Sequence, residues 1–159
     1  MKIYPAQTDK DIEHVKILLE EYAGWLEGEG YLFGDKLEEF KEQVANLLGV
    51  FVPPEGYLLV ATYRGQVAGC VAMRKLASGL CEMRSLFVRR RYRGLNIGKA
   101  LCEAIIAKAQ SAGYTSMRLT SNRKMVAANE LYKALGFKET ESYADYLGTD
   151  VVFMELKLV

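Results

Sequence analysis

The chain opens on "KIYPAQ", an alternation of apolar and polar residues that predicts a short edge strand, where Pro5 costs no ladder bond. Thr8 and Asp11 then stand at capping-box spacing, so hydroxyl and carboxylate can each accept from a backbone N–H and start a helix. Ile12, Val15, Leu19, Tyr22 and Leu26 recur at helical spacing behind them and give a long helix one apolar side. Gly28 and Gly30 break it. "DKLEEFKEQVANLLG" predicts a second helix, closed by Gly49 and followed by Pro53 and Pro54.

After the prolines the period falls to two. "GYLLVATYRGQVAGCVAMRKL" reads as two strands around the Arg64–Gly65 turn, and "GLCEMRSLFV" as a third after Ser78 and Gly79, which together make an antiparallel meander. From Asn96 to Ala112 the pattern is helical again, with Ile97, Ala100, Leu101, Ala104 and Ile105 on one face and Gly113 at the stop. "YTSMRLT" is a strand. Another helix is expected from about Arg123 to Leu135, with Ala128, Leu131 and Leu135 facing inward and Gly136 in the C-terminal capping position. "DVVFMELKLV" closes the chain as a strand. Hairpins before residue 80 and strand–helix alternation after it predict an α/β fold: a mixed, mostly antiparallel sheet with helices on both faces.

Length and composition narrow the picture. The 159 residues suit one domain, 1–159, with no repeat, linker or low-complexity tract. Half the residues are hydrophobic, 26% are charged and the net charge is +1, which argues against a disordered chain or a general nucleic-acid-binding surface. "MKIYPAQTDKDIEH" lacks the apolar core of a signal peptide, and no later segment is a long uncharged span, so a soluble, cytoplasmic protein with no membrane partner is expected. Cys70, Cys81 and Cys102 are odd in number, widely spaced and set among apolar residues, as reduced core thiols are, and no metal site is expected. His14, the only histidine, lies on the first helix among charged residues and reads as surface.

The segment "VRRRYRGLNIGKAL" changes the picture most. Arg89, Arg90, Arg91 and Arg93 run into Gly94 and Gly98 and then into a helix, a composition suited to holding an anion. It is no mononucleotide P-loop, because three residues rather than four separate Gly94 from Gly98 and Ala100 stands where the magnesium-binding Ser or Thr belongs. Nor is it the G-x-G-x-x-G of a dinucleotide fold. What remains is a turn whose successive N–H groups, with the positive end of the helix behind them, suit a pyrophosphate.

This segment resembles the acyl-CoA-binding signature of the GCN5-related N-acetyltransferase superfamily, with Arg93, Asn96 and Gly98 at the signature positions. Asn96 replaces the middle glycine, and asparagine is the residue that best tolerates left-handed backbone after glycine. "CEMRSLFV" is similar to the superfamily's central strand, and "AANELYKALGF" to its later helix with the leucine–tyrosine pair and terminal glycine–phenylalanine.

The resemblance implies the fold and the chemistry of that family. The cofactor, acetyl-CoA, would lie in a splay between two neighbouring parallel strands, here those ending near Val88 and Thr120. Backbone groups of Leu86, Phe87 and Val88 would pair with the pantetheine arm. The amides of Arg93, Gly94, Leu95, Asn96, Ile97, Gly98 and Lys99 would hold the pyrophosphate, with Arg89, Arg90 or Arg91 as candidates for the 3′-phosphate. Tyr132 would be the acid that protonates the departing thiolate, and Glu82 the base that takes the amine's proton through water. Tyr22, Trp25, Tyr31, Phe33, Tyr143 and Tyr146 are candidates for the acceptor pocket, where aromatic faces could hold an amine by cation–π contact. Met125 stands where many members carry an asparagine, with Asn122 three residues earlier.

The implied activity is acetyl transfer to the amine of a small molecule in a ternary complex. Acetylation of a protein lysine or N-terminus, a non-catalytic acyl-CoA-binding module and nucleic-acid binding by "RRRYR" are the alternatives, the last disfavoured by the near-neutral charge. Dimers are common in the family, so a homodimer stays open, although the sequence carries no interface signature.

Overall fold

The computed structural model describes residues 1–32, 34–47, 51, 53, 55–143 and 150–158. Phe33, Gly49, Pro54 and Tyr146 lie outside the described residues. In chain order the elements are β1 (Lys2–Pro5), α1 (Asp9–Gly28), α2 (Gly34–Ala45), β2 (Tyr57–Tyr63), β3 (Gln66–Ala77), β4 (Leu80–Val88), a 3-10 turn (Arg90–Tyr92), α3 (Ile97–Ser111), β5 (Ser116–Asn122), α4 (Val126–Ala134), β6 (Lys138–Glu139) and β7 (Val151–Lys157).

Local chemistry explains most boundaries. At the start of α1 the capping box is complete: Asp11 N–H donates to Thr8 Oγ1 at 3.0 Å and Thr8 N–H donates to Asp11 Oδ2 at 3.2 Å. The β2–β3 hairpin turns on Arg64 and Gly65, both with positive φ, the backbone that a tight two-residue turn requires. The helix expected from Arg123 starts three residues later, at Val126. Asn122 organises a turn first, its side-chain Oδ1 accepting from Lys124 N–H and its carbonyl from Met125 N–H, both at 2.9 Å. The face of α4 that goes deepest is also shifted. Asn129 and Tyr132 are buried, whereas Ala128, Leu131 and Leu135 pack half-buried beside them. The two-residue β6 is too short for any periodicity to announce it.

The strands form one sheet in the order β1-β2-β3-β4-β5-β7-β6. β4 and β5 run parallel, joined by the α3 crossover, and the other described pairings are antiparallel. Alternation along the strands feeds two cores. Leu59, Ala61, Val71, Met73, Cys81 and Met83 join Ile97, Leu101 and Ile105 of α3 on one face. Leu58, Val60, Cys70, Ala72 and Phe87 join Leu18, Leu19, Leu37 and Phe40 of α1 and α2 on the other. Each fully buried Leu or Ile of these layers contributes about 2 kcal/mol. The three thiols are free and buried, and desolvation pushes each up to about 12, so they are core groups kept protonated. Among the described residues no helix is long and apolar enough to cross a membrane.

Candidate active site

β4 is paired with β5 only over its first residues, Leu80 with Ser116, Cys81 with Met117 and Glu82 with Arg118. On its other side β4 carries an extra residue. Ala72 faces Arg84 but Cys70 faces Phe87, so the ladder bulges around Ser85, whose φ is +56°. The Cys70 thiol donates to the Ser85 carbonyl at 3.6 Å and holds the bulge from below. Beyond Glu82 and Arg118 the two parallel strands separate and leave a cavity of about 330 Å³. Met83, Arg84, Ser85 and Leu86 line one wall and Leu119, Thr120, Ser121 and Asn122 the other, with Tyr22, Tyr31, Leu32 and Phe40 from the α1–α2 side and Tyr132 from α4.

At the open end of this gap lies the basic turn. Gly94 has φ +81° and Asn96, the residue before α3, has φ +62°, so the asparagine does adopt the left-handed conformation that glycine would supply. Among the described residues, no acceptor meets the backbone N–H groups of Gly94, Leu95, Asn96, Ile97, Gly98 or Lys99; the first helical bond is Ala100 N–H to the Asn96 carbonyl at 3.1 Å. Six donors at the positive end of a 15-residue helix fit a phosphate chain. A Cβ on Gly98 would meet Leu131 Cδ2 at 3.8 Å and Val88 Cγ2 at 3.9 Å, ordinary contacts, so packing within the protein does not require glycine there. The space it leaves suits the close approach of a ligand to the backbone.

The arginines divide their work. Arg89 is a strut: its Nη2 and Nε donate to Glu21 at 2.6 and 3.0 Å and its Nη1 to the Val67 carbonyl at 2.9 Å, which fastens α1 to the end of the sheet. With its Nε and one N–H of each Nη so engaged, the side chain is held against Glu21 and Val67 rather than left free to turn, unlike those of Arg90 and Arg91. Arg90 and Arg91 stay exposed on the 3-10 turn, the latter 5.1 Å from the Tyr92 ring centre. Arg93 Nε donates to the Val88 carbonyl at 3.0 Å, and its guanidinium lies 5.7 Å from the ring of Trp25. Trp25 thus sits beside the turn, against Tyr22 and Tyr31, and is not among the residues lining the cavity.

The backbone of the open edge is equally specific. Arg89 N–H donates to the Ala68 carbonyl, and antiparallel alternation then turns the groups of Phe87 toward β3 and those of Val88 toward the gap. A Cβ on Gly69 would come within 2.5 Å of the Phe87 carbonyl oxygen, which places that carbonyl on the β3 side. Phe87 therefore serves the core with its ring, 5.2 Å from that of Tyr22, and turns its backbone groups to β3 rather than to the gap.

Tyr132 enters the gap from the α3–α4 side and is 8% exposed. Burial, with smaller contributions from Tyr22 and Cys102, holds its phenol well above the ordinary value of 10.0, so it keeps its proton at neutral pH. Its helix is anchored one turn earlier by Asn129, whose Oδ1 accepts from Ser121 Oγ at 2.6 Å and whose Nδ2 donates to the Asn122 carbonyl at 2.9 Å. Asn129 was not singled out from the sequence. Its signal was a polar residue three positions before Tyr132 on the same helical face.

Glu82 is 4% exposed and lines the cavity from the opposite side of the sheet. Arg74 Nε and Arg84 Nη1 both donate to its Oε1, at 3.0 and 2.9 Å, and among the described residues Oε2 has no partner. Of the aromatic candidates, Tyr22 and Tyr31 reach the cavity. Tyr143 does not line it, although its hydroxyl is bonded to the wall residue Thr120 at Oγ1, 2.9 Å, and its ring packs on Phe153. Met125 stands directly before α4 without a side-chain capping bond. His14 lies away from the gap on α1, half-buried rather than at the surface, with a buried Nδ1 that has no hydrogen-bond partner among the described residues.

A parallel pair that opens beyond a bulge, with a turn suited to an anion at its mouth and a protonated phenol inside it, is the arrangement of N-acyltransferases that take acyl-CoA between two strands. The sequence profile of the acetyltransferase (GNAT) family matches residues 15–137, and the chain belongs to that family. An uncharacterized N-acetyltransferase of Schizosaccharomyces pombe is 34% identical over 162 residues, covering 99% of this chain and 95% of the relative. An acetyltransferase of the GNAT family from Staphylococcus aureus superposes with a TM-score of 0.80 at 18% identity over 99% of both chains. PaiA N-acetyltransferase from Thermoplasma acidophilum, solved in complex with coenzyme A, gives 0.71 at 17% identity, again over 99% of both.

Proposed function

We propose that this protein is an acetyl-CoA-dependent N-acetyltransferase that acetylates the amine of a small molecule by direct transfer in a ternary complex. The observation that carries the reading is the separation of β4 from β5 beyond Glu82 and Arg118, with N–H groups at one end that meet no acceptor among the described residues and Tyr132 within. Bound acetyl-CoA supplies an acetyl group activated as a thioester. The N–H groups of Gly94 to Lys99 hold its pyrophosphate, with Arg93, Arg90 and Arg91 at the rim. Leu86 and Val88 offer backbone groups to the amides of the pantetheine arm, as an added strand would.

The nitrogen sheds two protons between ammonium and amide and the sulfur gains one: Glu82 takes the first, and the second replaces the proton that Tyr132 gives to sulfur. Tyr132, protonated and buried at the gap, donates to the departing sulfur. Glu82, whose Oε2 meets no partner among the described residues, accepts the proton of the attacking ammonium through a water. Tyr22, Tyr31 and Phe40 close the acceptor side, and a cavity of about 330 Å³ suits a small amine better than a peptide.

The experiment is calorimetric titration with acetyl-CoA, using CoA and adenosine as controls, followed by CoA-thiol release across a panel of small amines. Micromolar binding that depends on pantetheine and phosphates, with turnover on at least one amine, is expected. Binding without transfer to any amine would convert the protein into an acyl-CoA-binding module, and absence of binding would remove the cofactor site.

A further inference from the structure

The acceptor side of the cavity carries a charge surplus. Along one row of the sheet, Arg74 on β3, Glu82 on β4, Arg118 on β5 and Glu155 on β7 stand in direct register, alternating in sign. Arg118 is satisfied by Glu155, Nε to Oε1 at 3.0 Å. Arg84, two residues beyond Glu82 and therefore on the same face, has among the described residues no acidic partner of its own and shares Glu82 Oε1 with Arg74. Two guanidiniums thus face one carboxylate. At the exposed rim Lys36 and Glu39 pair with one another, so that among the described lining residues Arg74 and Arg84 outweigh Glu82.

That surplus is built into a half-closed space. The side chains of Arg74 and Arg84 are 31% and 19% exposed, and among the described residues each spends one nitrogen on Glu82. The remaining N–H groups of two planar forks, partly withdrawn from water, call for an acceptor with matching geometry, and a carboxylate is the matching group. A simple cationic amine would meet like charge here. An amine with a carboxylate a few bonds away would lie antiparallel to the Glu82–Arg84 pair, its nitrogen toward Oε2 and its carboxylate toward the free guanidinium donors.

The geometry points to a free amino acid as the acceptor, its carboxylate read by Arg84 with help from Arg74. The inference rests on the acetyltransferase reading above. It is tested by measuring kcat/KM for L-amino acids, their C-terminal amides and the corresponding amines that lack the carboxyl. The amino acids are expected to exceed their amides by about 10- to 100-fold, the range of a charge-assisted pair. Arg84→Gln leaves Arg74 on Glu82, so no carboxylate is stranded and the fold is retained. It is expected to reduce the amino acid to amide ratio by about tenfold or more, mostly through KM, with Arg84→Lys in between because it keeps the charge and loses the fork. Amides or simple amines used as well as amino acids, or a ratio unmoved by Arg84→Gln, would overturn the inference alone. No transfer to any of the three sets would overturn the acetyltransferase reading, and the inference with it.

Discussion

The turn at Arg93–Lys99 and the charged cluster around Glu82 stand at different parts of one gap and are built by different physics. The turn is local: its donors are consecutive backbone amides, and its shape comes from left-handed backbone at Gly94 and Asn96. The cluster is non-local. Arg74, Glu82 and Arg84 meet because β3 and β4 pair in one register, and their side chains, not the backbone, carry the chemistry. A backbone cradle suits a ligand part that never varies, such as a pyrophosphate, whereas side chains set by register can change one at a time and suit the partner that does vary.

The sharpest test of this division falls on Tyr132, which lines the same gap. Tyr132→Phe is expected to lower kcat by about 10²- to 10⁴-fold, the usual worth of a positioned acid, while acetyl-CoA affinity stays within about twofold. Because the phenol's pKa is raised above 10.0 in the folded protein, the acid form persists through neutral and mildly alkaline solution. The wild-type kcat profile should therefore show no alkaline decline below about pH 10. Unchanged kcat in the variant would remove Tyr132 from the chemistry.

Next in size is Gly98→Glu, which sets a bulky negative side chain at the mouth of the cradle. Acetyl-CoA affinity should weaken by more than about 100-fold, by calorimetry, with the melting temperature little changed, since the Cβ meets only ordinary contacts. Retained binding would displace the phosphate site. Asn96→Ala is a gentler probe of the same turn. An alanine held at φ +62° costs about 1 kcal/mol relative to asparagine or glycine, read as a lower midpoint in urea, and Asn96→Gly should recover it.

The smallest effect is predicted for Arg89→Ala. Losing the tie to Glu21, itself 41% exposed, should cost about 1 kcal/mol or less of stability and leave acetyl-CoA affinity unchanged. A clear loss of affinity would return Arg89 to the phosphate site and blur the comparison.

The same division explains what could be read in advance. The capping box at Thr8, the meander, the α3 crossover and the Gly94–Gly98 turn are local patterns, and each stands where the spacing put it. Glu82 was legible as a residue but its setting was not, because nothing in "CEMRSLFV" says that Arg74, eight residues earlier, pairs across from it. The same holds for Arg89, whose partner Glu21 is 68 residues away, and for Trp25, which a helical stripe could not place beside Arg93. The bulge at Ser85 left no glycine to mark it, and its signature exists only in the register of two strands.

The central claim is that acetyl-CoA occupies the opening between β4 and β5 with its phosphates on the turn. An amide-resolved NMR titration of the protein with acetyl-CoA tests it most directly. Saturable shifts concentrated at Gly94 to Lys99 and at Leu86 and Val88, with those at the remote Arg64–Gly65 hairpin unmoved, are the expected result. Shifts that bypass the turn and the open edge of β4, or none at all, would contradict it.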